Sequence, residues 1–190
     1  AEFAARAAGG HIGRARRLAT DKNAMQNRTS ILKLPLMIKD VASAYKAAQI
    51  LVDAAKADAV KDSEKKDEDE ISKLKEAWGA TGSKMVSGGA KAVKELEKEQ
   101  KSRATRLIRD YLDRALLDLS TLYRDILLIQ SNSLDLLINQ ELIAEIRKLA
   151  QATRPEHTVA KIESILKTRR NLAHNAAPLL LIEALMCELH

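Results

Sequence analysis

The stretch from Ala90 to Gln130 contains neither glycine nor proline, and it constrains the fold more than any other part of the chain. Apolar residues recur in it at Val93, Leu96, Leu107, Ile108, Tyr111, Leu112, Ala115, Leu116, Leu119, Leu122, Tyr123, Ile126 and Leu127. From Leu107 onward the steps are threes and fours, the period of one helical face turned towards a partner. A helix of that length runs about 60 Å, too long for the core of a small compact domain. Its first half is dense in charge and its second half is rich in leucine. The second half is therefore expected to be the spine of a packed bundle, and the first half an arm leaving it.

The rest of the chain agrees with helices. Aromatic residues make up only 3% of 190 residues while hydrophobic residues reach 46%, so a core must be built from Leu, Ile and Ala. Seven Gly and three Pro leave few places to turn, and strand-like alternation is nowhere sustained. The expected class is all-α. A net charge of +6 favours an acidic partner in the Coulombic sense. With 31% of residues charged and both signs mixed, a solvated helical surface is the simpler account. The single cysteine, Cys187, excludes an intramolecular disulfide and any multi-cysteine metal site. No signal peptide and no long uncharged apolar run appears, which suits a cytoplasmic protein away from membranes. The chain opens at Ala1 in mid-helix composition, as a piece of a longer protein would.

Taken in order, AEFAARAA ends a helix, Gly9-Gly10-His11-Ile12-Gly13 breaks it, and RARRLATD forms a second. In that second helix Ala15, Leu18 and Ala19 should face inward, with Arg14, Arg16 and Arg17 solvated. Asp21 is a candidate N-cap for a third helix, which Pro35 should end. A long helix follows from about Leu36. Its middle, KDSEKKDEDE, lacks an apolar face but is expected to stay helical through alternating charges. The glycines at 79, 82, 88 and 89 make a tip loop, so two long helices form an antiparallel hairpin, with Ile71 and Leu74 opposite Val93 and Leu96. Ser131-Asn132-Ser133 closes the spine. Leu134–Ala152 reads as one amphipathic helix, and Val159, Ile162, Ile165, Leu166 and Leu172 mark the next. Asn175 is a candidate N-cap for a last helix, PLLLIEALMCEL, apolar on most sides.

Catalytic patterns are missing. No Walker A loop occurs; Gly10-His11-Ile12-Gly13 imitates a KH-type GxxG without the strands that fold requires. Ser72-Lys73-Leu74-Lys75 fits SxxK on a charged helix with no pocket. His11, His157, His174 and His190 are scattered, and none has metal-ligand spacing. Neither a cofactor nor a small-molecule substrate is implied, and an enzyme is not expected. Arginines cluster at 14, 16 and 17, at 103, 106, 109 and 114, and at 169 and 170. Asp110 and Asp113 interrupt the middle group, which favours salt bridges over phosphate contact, and stacking aromatics are missing.

Two motifs together carry a resemblance. AARAAGGHIGRARRLATD resembles the last helices of the lid subdomain in clamp-loader AAA+ proteins, where a Gly-containing turn opens the sensor-2 helix. RRNLAHNAAPLLLIEALMCEL is similar to the final helix pair of the clamp-loader collar. The match is closest to the delta-prime family of the bacterial DNA polymerase III clamp loader, in the actinobacterial style with a long charged insertion. ATP-using loader subunits carry an arginine in GxxR that touches nucleotide phosphates. Counted from Gly10, that position is Gly13, a glycine that resembles the non-hydrolysing delta-prime stator; Arg14 follows one step later, and a one-residue shift would let it serve instead.

The resemblance implies the end of an AAA+ lid over residues 1–35 and a collar over 36–190, with a hairpin arm at about 55–105. It implies assembly with the delta and tau/gamma subunits, and association with DNA and the sliding clamp only through that complex. Arg169, Arg170, Asn175, Leu180, Leu181 and Leu185 are the candidate interface residues. A stand-alone helical hairpin that binds nucleic acid or acts as a coiled-coil scaffold is the competing class. It would explain the charge and the arm, but not the two end motifs.

Overall fold

A computed structural model describes residues 2–78, 88–174 and 176–190, and the described residues are all-α with no strand. The helices are α1 (Glu2–Ala7), α2 (Ile12–Thr20), α3 (Lys22–Met37), α4 (Val41–Ala77), α5 (Gly89–Gln130), α6 (Ile143–Ala152), α7 (Pro155–Ala173) and α8 (Pro178–Glu188). Two short 3-10 turns, Leu134–Leu136 and Gln140–Leu142, separate α5 from α6. The chain divides into two compact units, one of Ala1–Leu51 with Asp113–His190 and one of Val52–Leu112. The long helices α4 and α5 each contribute to both. Residues 1–35 thus share a unit with the chain's last three helices.

The first unit is a bundle around the leucine stripe of α5. Leu116, Leu119, Leu122 and Ile126 are at most 1% exposed, and Leu32, Ile146, Ile165, Leu172, Ile182 and Leu185 are buried as fully. Each such side chain contributes roughly 1.5–3 kcal/mol by leaving water. Small residues on α4, Ala44, Ala47 and Ala48, are also buried. Helix starts and stops follow local chemistry. The Asp21 carboxylate accepts the N–H groups of Asn23 and Ala24 at the head of α3. At the head of α4, Ser43 N–H donates to Asp40 Oδ1 at 2.8 Å, while Ser43 Oγ accepts from the N–H groups of Lys39 and Asp40. The spine ends in a Schellman arrangement. Asn132 adopts φ 59°, Ser133 N–H donates to Leu128 O and Asn132 N–H donates to Ile129 O.

The second unit is the hairpin expected from the sequence. Trp78 with Gly88, Glu70 with Arg103, and Asp62 with Tyr111 pair at rising separation, which requires antiparallel helices. Gly88 has φ +99°, which favours glycine, and a Cβ there would sit 3.3 Å from the Trp78 ring, a close approach. The rest of the tip loop lies outside the described residues. The KDSEKKDEDE segment is helical throughout. Its inner side is Ser63, Asp67 and Glu70, a polar continuation of the alanine stripe that ends at Ala59. Arg103 donates to both Asp67 and Glu70, and the buried Gln100 donates to Asp67 O at 3.0 Å. Hydrogen bonds replace the missing apolar face.

Several expectations are corrected. Pro35 does not end α3, which continues to Met37; the proline is buried and the helix stops within a turn of it. Ala19 is exposed, and Ala15 and Leu18 only half-buried. Leu134–Ala152 is not one helix, because the Asp125 carboxylate captures the N–H groups of Ile138 and Asn139, which a continuous helix would bond internally. The α7 face turned inward carries Thr158 and Thr168 beside Ile165 and Leu172, while Val159 and Leu166 are exposed. Ala177, not Asn175, occupies the N-cap position of α8, and Asn175 lies outside the described residues.

Candidate functional site

Two features of the first unit stand out from ordinary packing. The first is a buried polar network between α3, α5 and the turns after α5. Asp118, Thr121 and Asp125 follow one another at helical spacing beside the leucine stripe of α5. Arg28, 2% exposed, donates from Nε to Asp118 Oδ1 at 2.8 Å, and from its terminal nitrogens to Glu141, Thr121 and Asn139. Asn139 in turn donates to Thr121 and Asp125. Asp125, fully buried, accepts from Asn139 N–H at 2.6 Å and Ile138 N–H at 3.0 Å. Burial pushes the Asp118 carboxyl up, while the Arg28 and Arg14 guanidiniums pull it down. Nearly every polar atom in the network has a partner, as buried charge requires.

Arg14 enters this network. Its guanidinium donates to Asp118 and its side chain is only 16% exposed, so it is not solvated as the sequence suggested. Gly10, at φ +87°, makes the turn, and Gly13 sits in the first turn of α2. His11 caps that helix, its Nδ1 accepting from Arg14 N–H at 3.2 Å. A Cβ at Gly13 would come within 3.3 Å of the His11 ring, so the glycine makes room for the cap.

The second feature is the outer surface of α7 and α8. Leu180 is 66% exposed, and Val159, Leu166 and Arg170 are exposed as well. Leu181 is half-buried. Leu185 belongs to the bundle core at 1% exposure, which leaves it no outward surface. Arg169 forms a two-point pair with Asp113, from Nε at 2.7 Å and from a terminal nitrogen at 3.0 Å. Of the residues picked from the sequence, Arg170 and Leu180 therefore reach outward most freely.

A cleft of about 630 Å³ lies between α5, α6, α7 and the end of α8, lined by Tyr123, His157, Lys161 and Leu189 among others. Lys161 Nζ donates to Leu189 O at 2.9 Å and lies 6.0 Å from the Tyr123 ring centre. Burial lowers the Lys161 ammonium and raises the Tyr123 phenol. Cys187 is a half-buried free thiol. Among the described residues no group of three His, Cys, Asp or Glu side chains could hold a metal ion. Among them, too, no helix is long and apolar enough to cross a membrane.

The sequence reasoning missed Arg28, Asp118, Asp125 and Asn139. The available signal was the pair of aspartates seven residues apart next to an apolar stripe, where solvated charges have no place.

The described residues of the first unit form an all-helical bundle closed by leucines and an internal ion-pair network. The family model for DNA polymerase III, delta subunit, C terminal, matches residues 91–190, and the chain belongs to that family. This is a clamp-loader family with a role in DNA replication, and its domain is non-catalytic. No curated protein and no solved structure matches the chain. The match runs from the first turns of α5 to the end of α8, so the spine and the three helices after it are the family's region.

Proposed function

We propose that the chain is a non-catalytic assembly module of delta-prime type, which joins the delta and tau/gamma subunits through its collar. The observation that carries this reading is the exposed apolar surface of α7 and α8, with Leu180 at 66% exposure inside the region matched by the family. A single exposed leucine is ordinary on a folded surface, so it is the position of Leu180 inside the matched region that makes α8 the candidate contact. Arg170, in the last turn of α7, is exposed as well and is the candidate polar contact. Residues 1–35 are taken as the end of an AAA+ lid and 36–190 as the collar. The delta-prime assignment, as distinct from an ATP-using loader subunit, rests on the turn at Gly10–Arg14. The arginine nearest the nucleotide-sensing position is committed to Asp118, which supports a stator that does not read ATP.

The test is size-exclusion chromatography of the chain with the delta and tau/gamma subunits of its own organism. Co-elution is expected, and Leu180→Asp should abolish it while the circular dichroism and melting of the chain stay unchanged. A folded Leu180→Asp variant that still co-elutes would remove α8 from the interface. Assembly in place of delta, with delta-prime already present, would make the chain a delta-type subunit.

A further inference from the structure

The hairpin carries its charges unevenly. On α5 the inward cation Arg103 is neutralised by Asp67 and Glu70. Lys91, Lys94, Lys98 and Lys101 are exposed and step by three, four and three residues. At about 100° per residue they fall within an arc of about 80°, opposite the side formed by Leu96, Gln100 and Arg103. The ladder is about 15 Å long. Ser102 and Thr105 continue the same face, and exposed Arg106 flanks it. No ion pair joins Lys91, Lys94 or Lys101 among the described residues. Lys98 has only the exposed Glu95 at 3.6 Å, which with Glu99 borders the ladder on one side, while the exposed Glu97 borders it on the other.

We propose that this outer face of α5 is a docking surface for the phosphate backbone of double-stranded nucleic acid. Lysines and hydroxyl side chains are the groups that contact phosphates and fix register without reading bases. An acidic protein partner is disfavoured by composition, since protein interfaces are depleted of lysine and centred on aromatic residues, and this face has none. The same lack of aromatics argues against single strands, whose binding relies on base stacking. The surface is independent of whether the chain is of delta or delta-prime type, and α8 takes no part in it.

The experiment is fluorescence anisotropy of the whole chain with a labelled duplex of arbitrary sequence, its single strand, and polyglutamate as competitor. Four neutralised phosphates give a salt slope of about −3.6, a fall of roughly 100-fold in affinity between about 50 and 200 mM salt. The variant K91Q/K94Q/K98Q/K101Q is expected to lose that slope and most of the affinity, with helicity unchanged because all four side chains are exposed. The variant K33Q/K46Q/K148Q/K167Q removes the same charge from other exposed positions and should bind as the wild type does. Replacing the four ladder lysines with arginine should preserve binding. Equal loss in the two glutamine variants, no duplex binding at low salt, or stronger competition by polyglutamate than by duplex would each overturn the proposal.

Discussion

Asp125 shows how one side chain sets local structure here. It is fully buried, and its partners are mainly backbone and side-chain N–H groups of Ile138 and Asn139 rather than a buried cation. Removing it strands one buried and one half-buried backbone donor and frees the Asn139 side chain. Asp125→Ala should therefore cost about 2–4 kcal/mol, read as a lower urea midpoint at unchanged slope. A cost below about 0.5 kcal/mol, the range of ordinary surface substitutions, would mean that water satisfies those donors instead. Sequence spacing located this residue on the spine helix and gave no hint of its partners. The partners lie across a turn that periodicity misread as helix, because a carboxylate that binds backbone N–H groups competes with the helix for the same donors.

At the scale of elements, the charged half of α4 is helical because α5 supplies its missing partners. Arg103, the largest cause, holds the Glu70 carboxyl below its usual value of 4.5, with help from Gln100 and Lys66. A depressed carboxylate stabilises the folded form above its unfolded pKa and loses that contribution as pH falls through the folded one. The contact is therefore present at pH 7 and is lost only in the acid range below 4.5. Carboxyl NMR should give Glu70 a midpoint under 4.5, and Arg103→Gln should bring it back towards that value. A Glu70 midpoint unmoved by Arg103→Gln would place the stabilising contact elsewhere. The long-helix pattern and the tip glycines revealed the hairpin in advance. Which charges point inward was not legible, since Asp67, Glu68, Asp69 and Glu70 are equivalent until a partner helix selects a face.

At the scale of the whole molecule, the two units differ in what holds them. The first buries large side chains such as Leu116, Leu119, Ile126 and Ile165, whereas the second, beyond Val52 and Leu112 at its ends, has an interior of Ala55, Ala59, Ser63 and Gln100. Few buried apolar atoms mean a low free energy of local opening. Amide exchange should therefore be faster over residues 60–78 and 90–106 than over 113–130, measured on the intact chain. Equal protection in the two regions would show that the hairpin opens only with the bundle.

The sequence by itself determined the all-α class, the spine, the hairpin and most helix ends, because each follows from local period, capping residues and glycine. It also carried the resemblance to a clamp loader, and the family match agrees at that level. Only the tertiary structure decided that Arg14 and Arg28 meet Asp118, that Leu185 is core while Leu180 is surface, and that four lysines share one outward face. Pairing between residues far apart in the chain depends on which helix faces pack, and helical period fixes a face without naming its partner.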